Sequence, residues 1–374
     1  MNILIINNIP TPYRTFLFNE MEVISKDYDI NLDVFYQYKR EKERHWSIDP
    51  KTLTHNYMFS NDVFLGTPEI YSFNSFNIDL LKLDFSKYNY IIFSPLMSFN
   101  NLLLSLIIPK KKQIHWIESN LISTSSVSGI KYLIKKLALN RSDKFLIPGD
   151  NSKKYIELFN NKKCNKYINF PNLIDDSKYR NIKNKFSDDY LSKVRCELNI
   201  SRNTRVFISI GEVCERKGSD KLLDIINNVK GDYVILLIGT GEYNELLLSS
   251  GLVGKKIKIL GQLDNDEISK YLAISDIFLH LARRDPSPLV CIEALTSGMV
   301  MAVSKQTGNS LEVVNNNGVI FDINDDHDIY SKITLLVNLD SEKISFYKNE
   351  SRKLADNLFR PKNVISSLYS FLVE

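Results

Sequence analysis

The second half of the chain alternates short, continuously apolar runs with longer stretches whose apolar residues recur at helical spacing. The apolar runs predict strands at residues 205–210, 233–238, 257–260, 277–281, 300–303 and 319–321. The stretches between them predict helices at residues 219–228, 242–249, 266–273, 289–296 and 309–314. Strands that are apolar on both faces and alternate with helices are typical of a parallel sheet covered on both sides. The pattern therefore predicts an α/β, Rossmann-like domain.

The first half of the chain repeats this alternation less regularly. Its predicted strands lie at residues 3–7, 31–36, 90–93, 114–117 and 145–147, and its predicted helices include 16–24 and 130–139. Residues 40–73 do not follow the pattern, and we interpret them as an irregular insertion. A chain of 374 residues also exceeds the usual size of a single hydrophobic core, so two domains are expected.

A polar, charged stretch separates the two arrays. We predict an N-terminal Rossmann-like domain at residues 1–175 and a linker at 176–203 that contains a helix at 188–198. A C-terminal Rossmann-like domain is expected to follow at 204–360. The final segment, 361–374, is predicted as a helix because Val364, Leu368, Phe371 and Leu372 recur at helical spacing.

Composition argues against several protein classes. The four cysteines, Cys164, Cys196, Cys214 and Cys291, have neither metal-ligand spacing nor the density of a disulfide framework, which favours a reducing, cytoplasmic compartment. The chain enters a strand directly after Met1, so no signal peptide is expected. Its longest apolar tract, 102–108, is far shorter than the roughly 20 residues that cross a bilayer.

Glycine-containing or charged turns follow several predicted strands of the second half, at 211–218, 239–242, 285–288 and 306–309. Ligands of parallel sheets bind beyond the carboxyl ends of the strands, where helix N-termini present free amides. Asp285 lies in such a loop, and Glu293, eight residues later, lies inside the helix that begins near Pro288. This arrangement can hold a diphosphate at the helix start and a ribose at Glu293.

The region from Ile210 to Val314 resembles the donor domain of retaining glycosyltransferases of family 4, which adopt the GT-B fold. The matching residues occur in the family's order and spacing: Lys217-Gly218, Gly239 and Gly241, Glu293-Ala294, Gly298, and Gly308 with Glu312. The resemblance implies two Rossmann-like domains whose parallel sheets face a cleft, with the C-terminal helix crossing back to the first domain. Glu212 stands where the family usually has arginine, and Asp285 stands where it usually has glutamate.

The resemblance implies transfer of a hexose from a nucleotide-diphosphate sugar, with retention of configuration. Lys217 is then expected to neutralise charge on the departing diphosphate, Glu293 to hold the ribose and Asp285 to contact the sugar; Arg216, Arg283 or Arg284 can replace the missing arginine. The predicted donor-binding residues are Gly211, Arg216, Lys217, Gly239, Gly241, Ser287, Pro288, Leu289, Val290, Glu293 and Gly308. The donor is expected to be a UDP- or GDP-sugar, with no other cofactor.

No metal site is expected, because cationic side chains and helix amides take the place of a divalent ion in GT-B enzymes. Asp264-Asn265-Asp266 imitates a D-x-D metal motif. It precedes a helical run, however, and is better interpreted as a helix N-cap.

The first domain is expected to bind the acceptor, a saccharide or a lipid-linked saccharide of bacterial surface polysaccharide synthesis such as lipopolysaccharide or capsule. Arg14 follows the first strand and suits an anionic group. Glu118 follows the strand that contains His115 and is predicted to orient the attacking hydroxyl. His45 is a further candidate acceptor contact, and for both histidines the alternative is a packing role.

Basic residues cluster between Pro109 and Phe145, with eight Lys or Arg against two acidic residues. Within this segment Ile130, Leu133, Ile134 and Leu137 form an apolar stripe. A basic amphipathic helix suits an anionic membrane surface. The alternative is a helix packed on the core with a solvated basic face, and the sequence favours neither.

The sequence lacks the signatures of two rival functions. A dehydrogenase needs G-x-G-x-x-G after the first strand, and no glycine occurs between Asn7 and Arg14. The formal charge of +4 and the absence of a recognised module argue against nucleic-acid binding. A non-catalytic relative that only binds sugar nucleotides stays open, because Glu212 replaces the usual arginine.

Overall fold

The structure is a computed structural model that describes residues 1–39, 49–61, 64–65, 76–94, 98–122 and 129–374. These residues divide into two compact units. The first comprises Met1–Ile174 together with Pro361–Glu374, and the second comprises Asp175–Arg360. Within the described ranges, no helix is both long enough and apolar enough to cross a bilayer.

The first unit contains a parallel sheet with the order β3-β2-β1-β6-β7-β8-β9 among its described residues. Its strands are β1 (Asn2–Asn7), β2 (Asn31–Tyr36), β3 (Tyr57–Phe59), β6 (Tyr90–Ser94), β7 (Gln113–Trp116), β8 (Lys144–Ile147) and β9 (Lys166–Asn169). A short antiparallel pair, β4 (Phe64–Leu65) and β5 (Phe76–Asn77), lies outside it. The helices of the N-terminal part are α1 (Pro12–Ser25), α2 (Phe99–Ile107), α3 (Ile130–Leu139) and α4 (Asp150–Glu157).

Strand β1 shows why a continuously apolar run suits this position. Ile3 and Ile5 belong to a core cluster on one face of the sheet, which includes residues of α1. Leu4 and Ile6 point the other way, into a cluster that includes residues of α2, α3 and α4. Successive side chains of a strand face opposite sides, so a strand buried on both faces needs apolar residues at every position.

The second unit contains a parallel sheet with the order β12-β11-β10-β13-β14-β15. Its strands are β10 (Arg205–Ile210), β11 (Tyr233–Ile238), β12 (Ile257–Gly261), β13 (Ile277–His280), β14 (Val300–Ser304) and β15 (Gly318–Phe321). Its helices are α5 (Asp188–Glu197), α6 (Lys221–Asn228), α7 (Asn244–Ser249), α8 (Asn265–Ile274), α9 (Leu289–Thr296), α10 (Ser310–Val313), α11 (Asp326–Val337) and α12 (Ser341–Leu358). The chain first builds the sheet outward from β10 to β12 and then restarts on the other side of β10 with β13. This switch point lies between β10 and β13.

The last helix, α13 (Pro361–Val373), belongs to the first unit, as predicted. Its residues Val364, Leu368 and Leu372 join the core cluster that contains α1. The Tyr369 hydroxyl donates a hydrogen bond of 2.9 Å to the Met21 carbonyl in α1.

The predicted α/β class with two parallel sheets is confirmed, and so is the helix cap at Asp264. Asp264 accepts from the Glu267 amide, and Glu267 reaches back to the Asp264 amide, which forms a capping box at the start of α8.

The interpretation of residues 40–73 as wholly irregular is wrong at β3, which pairs with residues 34–36 of β2. Elements that the sequence pattern did not predict also include β9, α2, α4, α11 and α12.

Candidate active site

The loops that follow the strands of the second sheet lie at one edge, because all the strands are parallel. The two that matter most follow β10 and β13, on either side of the switch point. Crevices for ligands form at this position in open α/β sheets. The sequence-predicted donor residues of the second unit come from these loops and from those after β11 and β14.

Two glycines allow the loops after β10 and β11 to lie against each other. A Cβ on Gly239, which has φ of +134°, would stand 1.8 Å from the carbonyl oxygen of Gly211. A Cβ on Gly241 would stand 2.3 Å from the carbonyl oxygen of Val213. The space is used by a backbone hydrogen bond of 3.0 Å from Val213 N–H to the Thr240 carbonyl. Both glycines are therefore required by close packing of the backbone.

A single 3₁₀ turn, Glu215–Lys217, presents the predicted catalytic lysine. Gly218 ends the turn in the left-handed region, with φ of +73°, and a Cβ there would stand 2.0 Å from the Leu281 carbonyl oxygen. The turn consequently rests on the end of β13. This contact brings the side chain of Lys217 toward the loop that carries Asp285.

Lys217 and Asp285 form an ion pair, with 2.5 Å between Nζ and Oδ2. Both side chains are largely buried, with 18% of Lys217 and 11% of Asp285 exposed. The backbone of Asp285 is fixed by a parallel bridge to Thr307 and by a 2.7 Å hydrogen bond from Gly308 N–H to its carbonyl. The loops after β10, β13 and β14 thus meet at this carboxylate.

His280 is a third member of this cluster. Its Nε2 lies 3.2 Å from Asp285 Oδ2. Burial lowers the pKa of His280, and the nearby Asp285 carboxylate offsets this only in part. Burial by itself would raise the pKa of Asp285, but the adjacent His280 imidazole and the charge on Lys217 hold it below its ordinary value.

Two arginines near this cluster, Arg283 and Arg216, pair with acidic side chains. Arg283 forms two bonds to the Asp220 carboxylate, of 2.5 and 2.6 Å. Arg216 pairs with Glu212 at 2.8 Å on an exposed surface. The substitution that replaces the family's usual arginine by Glu212 is therefore accompanied by an ion pair that occupies Arg216.

Helix α9 presents its first turn at the same edge. Pro288 is its N-cap and makes no side-chain capping bond. The first amides of a helix, here those of Leu289 and Val290, have no partner within the helix and favour an anion. The predicted residues from Ser287 to Val290 thus lie at a helix start, as the sequence indicated.

Glu293 lies one turn further into α9, and Tyr179 donates a hydrogen bond to its carboxylate. Burial raises the pKa of Glu293, and this hydrogen bond offsets part of the rise. Burial and the charge of Glu293 raise the pKa of Tyr179, so the phenol keeps the proton that it donates. Tyr179 itself is buried.

In the first unit, the structure brings together two of the predicted acceptor-side residues. Arg14, in the first turn of α1, is only 3% exposed and pairs with Glu118 at 2.7 Å. Its guanidinium also lies over the Trp116 ring, 3.7 Å from the centroid. Glu118, about one third exposed, is thus held in place by a buried cation.

His115 lies in the core of the first unit and not on a surface that an acceptor could reach. Its imidazole is fully buried between Phe93 and Phe145, and its Nε2 lies 3.0 Å from Gln113 Oε1. Burial lowers its pKa to about 3, so it is neutral. The structure therefore favours the packing alternative. His45 lies outside the described residues.

Residues 192–353 match the family model described as glycosyl transferases group 1. These residues form a group 1 glycosyltransferase domain. The family resemblance predicted from the motifs is thereby confirmed.

One curated relative is the Escherichia coli UDP-Gal:α-D-GlcNAc-diphosphoundecaprenol α-1,3-galactosyltransferase. It is 28% identical over 217 residues, and the match covers 54% of this chain and 54% of the relative. The chain thus aligns with about half the length of this galactosyltransferase.

Solved glycosyltransferase structures resemble the whole chain and show the GT-B fold. Anabaena HepE in complex with UDP has a TM-score of 0.71 at 15% identity, with 100% of this chain and 99% of that chain covered. A glycosyltransferase from Rickettsia africae has a TM-score of 0.72 at 12% identity, with 100% and 98% covered. Sucrose-phosphate synthase from Thermosynechococcus elongatus has a TM-score of 0.71 at 13% identity, with 99% and 98% covered.

Sequence reasoning missed two residues that contact the predicted ones. His280 carries a signal that was available, because it stands at the carboxyl end of a predicted strand, five residues before Asp285. Tyr179 carries none, because it lies in the polar stretch interpreted as a linker and meets Glu293 only through the fold.

We predict that Gly239→Ala destabilises the protein more than Gly251→Ala does. Gly251 also has a positive φ, of +69°, but a Cβ added there would meet nothing within 4 Å. Gly251→Ala should therefore lower the free energy of unfolding only by the strain of a left-handed residue, about 1 to 2 kcal/mol. Urea unfolding measures both, and equal losses would contradict the close approach at Gly211.

We predict that Tyr179→Phe moves the acidic limb of the kcat/KM profile for the donor to higher pH. The phenol lowers the pKa of Glu293, so its loss lets that pKa rise, and the carboxylate protonates at a higher pH as the solution is acidified. Tyr190→Phe, at an exposed position on α5, is the matched control. An unchanged profile for Tyr179→Phe would show that the hydrogen bond does not tune Glu293.

Proposed function

We propose that the chain transfers a hexose from a UDP-sugar to a hydroxyl of a lipid-linked saccharide, with retention and without a divalent metal. The observation that carries the proposal is the Lys217–Asp285 pair at the switch point of the second sheet, beside the first turn of α9. A cation and free helix amides at one edge suit a diphosphate, and a carboxylate beside them suits sugar hydroxyls.

Several findings support a UDP-sugar as donor. The E. coli relative uses UDP-Gal, and HepE has been crystallised with UDP-glucose. The relative also forms an α linkage. UDP-galactose is itself an α-glycoside, so an α product corresponds to retention, and we extend that outcome to this chain.

Transfer forms a bond between the acceptor oxygen and the anomeric carbon, and it breaks the bond from that carbon to the β-phosphate oxygen. The leaving UDP gains negative charge, and we propose that its β-phosphate oxygen takes up the proton that the acceptor hydroxyl loses. Lys217 is proposed to stabilise the charge on the diphosphate, a kind of electrostatic contribution that is commonly the largest in such a reaction. Glu293, held by Tyr179, is proposed to accept hydrogen bonds from the ribose, and Asp285 to contact the transferred sugar once Lys217 turns to the diphosphate.

The acceptor is proposed to be a saccharide on a polyprenyl diphosphate, as in the name of the E. coli relative. We propose that the Arg14–Glu118 pair of the first unit orients the attacking hydroxyl of the acceptor. Glu118 is the partly exposed member of this pair. A lipid-linked acceptor would place the reaction at the cytoplasmic face of a membrane. We include that location in the proposal.

The test is a turnover assay with UDP-Gal, UDP-Glc, UDP-GlcNAc and GDP-Man, each with a polyprenyl-diphosphate-linked GlcNAc acceptor and EDTA. One UDP-sugar should give product whose anomeric configuration, determined by NMR, matches that of the donor. Lys217→Gln should lower kcat by about 10²- to 10³-fold, as loss of one transition-state charge contact commonly does. Asp285→Asn should also be impaired.

Lys230→Gln, at an exposed position of the second unit, is the control for removing a positive charge. Thermal unfolding of each variant separates lost catalysis from lost folding. Binding of UDP without turnover of any donor would favour the non-catalytic alternative. Turnover of the folded Lys217→Gln variant at the unaltered rate would contradict the assignment of the lysine.

A further inference from the structure

Helices α2 and α3 of the first unit share an apolar surface that the catalytic proposal does not use. Large side chains on both helices are between 47% and 69% exposed: Leu106 and Ile107 on α2, and Leu133 and Leu137 on α3. An apolar groove of about 190 Å³ runs between the helices and is lined by Leu102, Leu103, Ser105, Leu106, Ile134, Leu137 and Ala138. We call these two features together the α2–α3 surface.

The two helices are fixed to each other. Arg141, just after α3, donates from Nε to the Ser105 carbonyl at 3.0 Å and from Nη2 to the Leu106 carbonyl at 3.3 Å. These bonds satisfy carbonyls at the end of α2. The exposed leucines on the two helices therefore form one surface with a fixed geometry.

Basic residues predominate in the segment that forms the α2–α3 surface. Residues 99–142 contain seven Lys or Arg and one acidic residue, Glu118, which pairs with Arg14. Lys111 follows the end of α2, Lys136 lies on α3, and both are exposed. Asp143, just beyond, is paired with Lys110 at 2.8 Å.

We infer that the α2–α3 surface docks the protein onto an anionic lipid bilayer. Leucine and isoleucine side chains on an interfacial helix insert at the acyl boundary while lysines beside them meet the anionic headgroups. This inference deepens the proposed function, because a lipid-linked acceptor lies in such a bilayer. For α3 it adopts the membrane alternative of the two that the sequence left open.

A second copy of the chain is a poorer occupant of this surface. A symmetric dimer through the α2–α3 surface would set the same basic border against itself. Like charges across an interface are costly, whereas an anionic bilayer complements them. The charge thus favours the membrane over self-association.

The test is co-sedimentation of the full chain with two kinds of vesicle, one of pure phosphatidylcholine and one that also contains phosphatidylglycerol. Binding should require the anionic lipid and weaken with added salt. Lys111→Gln/Lys136→Gln should weaken binding by about 30-fold, since each lysine near an anionic surface strengthens binding by roughly fivefold. Leu133→Ser/Leu137→Ser should weaken it at least as much.

Matched controls lie in the second unit. Lys230→Gln/Lys255→Gln removes two exposed lysines, and Leu335→Ser/Leu311→Ser removes two exposed leucines, each without touching the α2–α3 surface. Both controls should bind the vesicles as the wild type does.

Failure to bind anionic vesicles would overturn the inference, and so would equal weakening by the test and control variants. Concentration-dependent dimerisation that is lost in Leu133→Ser/Leu137→Ser would also overturn it, by assigning the surface to a second copy. The vesicle assay uses no donor. Its failure is therefore distinct from failure of the proposed transfer, which is measured with a detergent-solubilised acceptor.

Discussion

The contact between Lys217 and Asp285 is the interaction on which the candidate site of the second unit depends. It exists because the chain restarts its sheet between β10 and β13, so that two loops far apart in sequence emerge side by side. The loop after β10 can lie there only because Gly218 and Gly239 leave room for neighbouring carbonyls. The pair also gives a largely buried lysine a counter-charge. A diphosphate would have to compete with Asp285 for it, which links donor binding to release of the carboxylate toward the sugar.

Much of the fold could be predicted from the sequence, because strands buried on both faces leave an unambiguous apolar run. The strands β10 and β11 lie at the residues where the pattern placed them. Short edge strands gave no such signal: β3 has three residues and β9 has four, with only Ile168 of β9 buried. Helix α12 was missed for a related reason, since most of its residues are polar or charged and only a narrow stripe reaches the core.

The candidate site likewise contains residues that the sequence could predict and residues that it could not. Lys217, Asp285 and Glu293 could be predicted because they stand at fixed positions in a family motif of turns and helix starts. Their partners could not be predicted, because contacts such as that of Tyr179 with Glu293 join residues that are far apart in the sequence. No periodicity in the sequence indicates such a contact. His115 shows the opposite case, in which a polar residue at a strand end suggested binding while its side chain points into a core of phenylalanines. Direction of the side chain, which alternates along a strand, decided between the two roles.

The most direct test of the account compares UDP and uridine binding by calorimetry in the wild type and in Lys217→Gln. If the lysine serves the diphosphate, UDP should bind the wild type much more tightly than uridine does. That advantage should shrink in the variant while uridine binding stays the same. A diphosphate advantage of equal size in both proteins would contradict the account, because it would place the donor phosphates away from the Lys217–Asp285 pair.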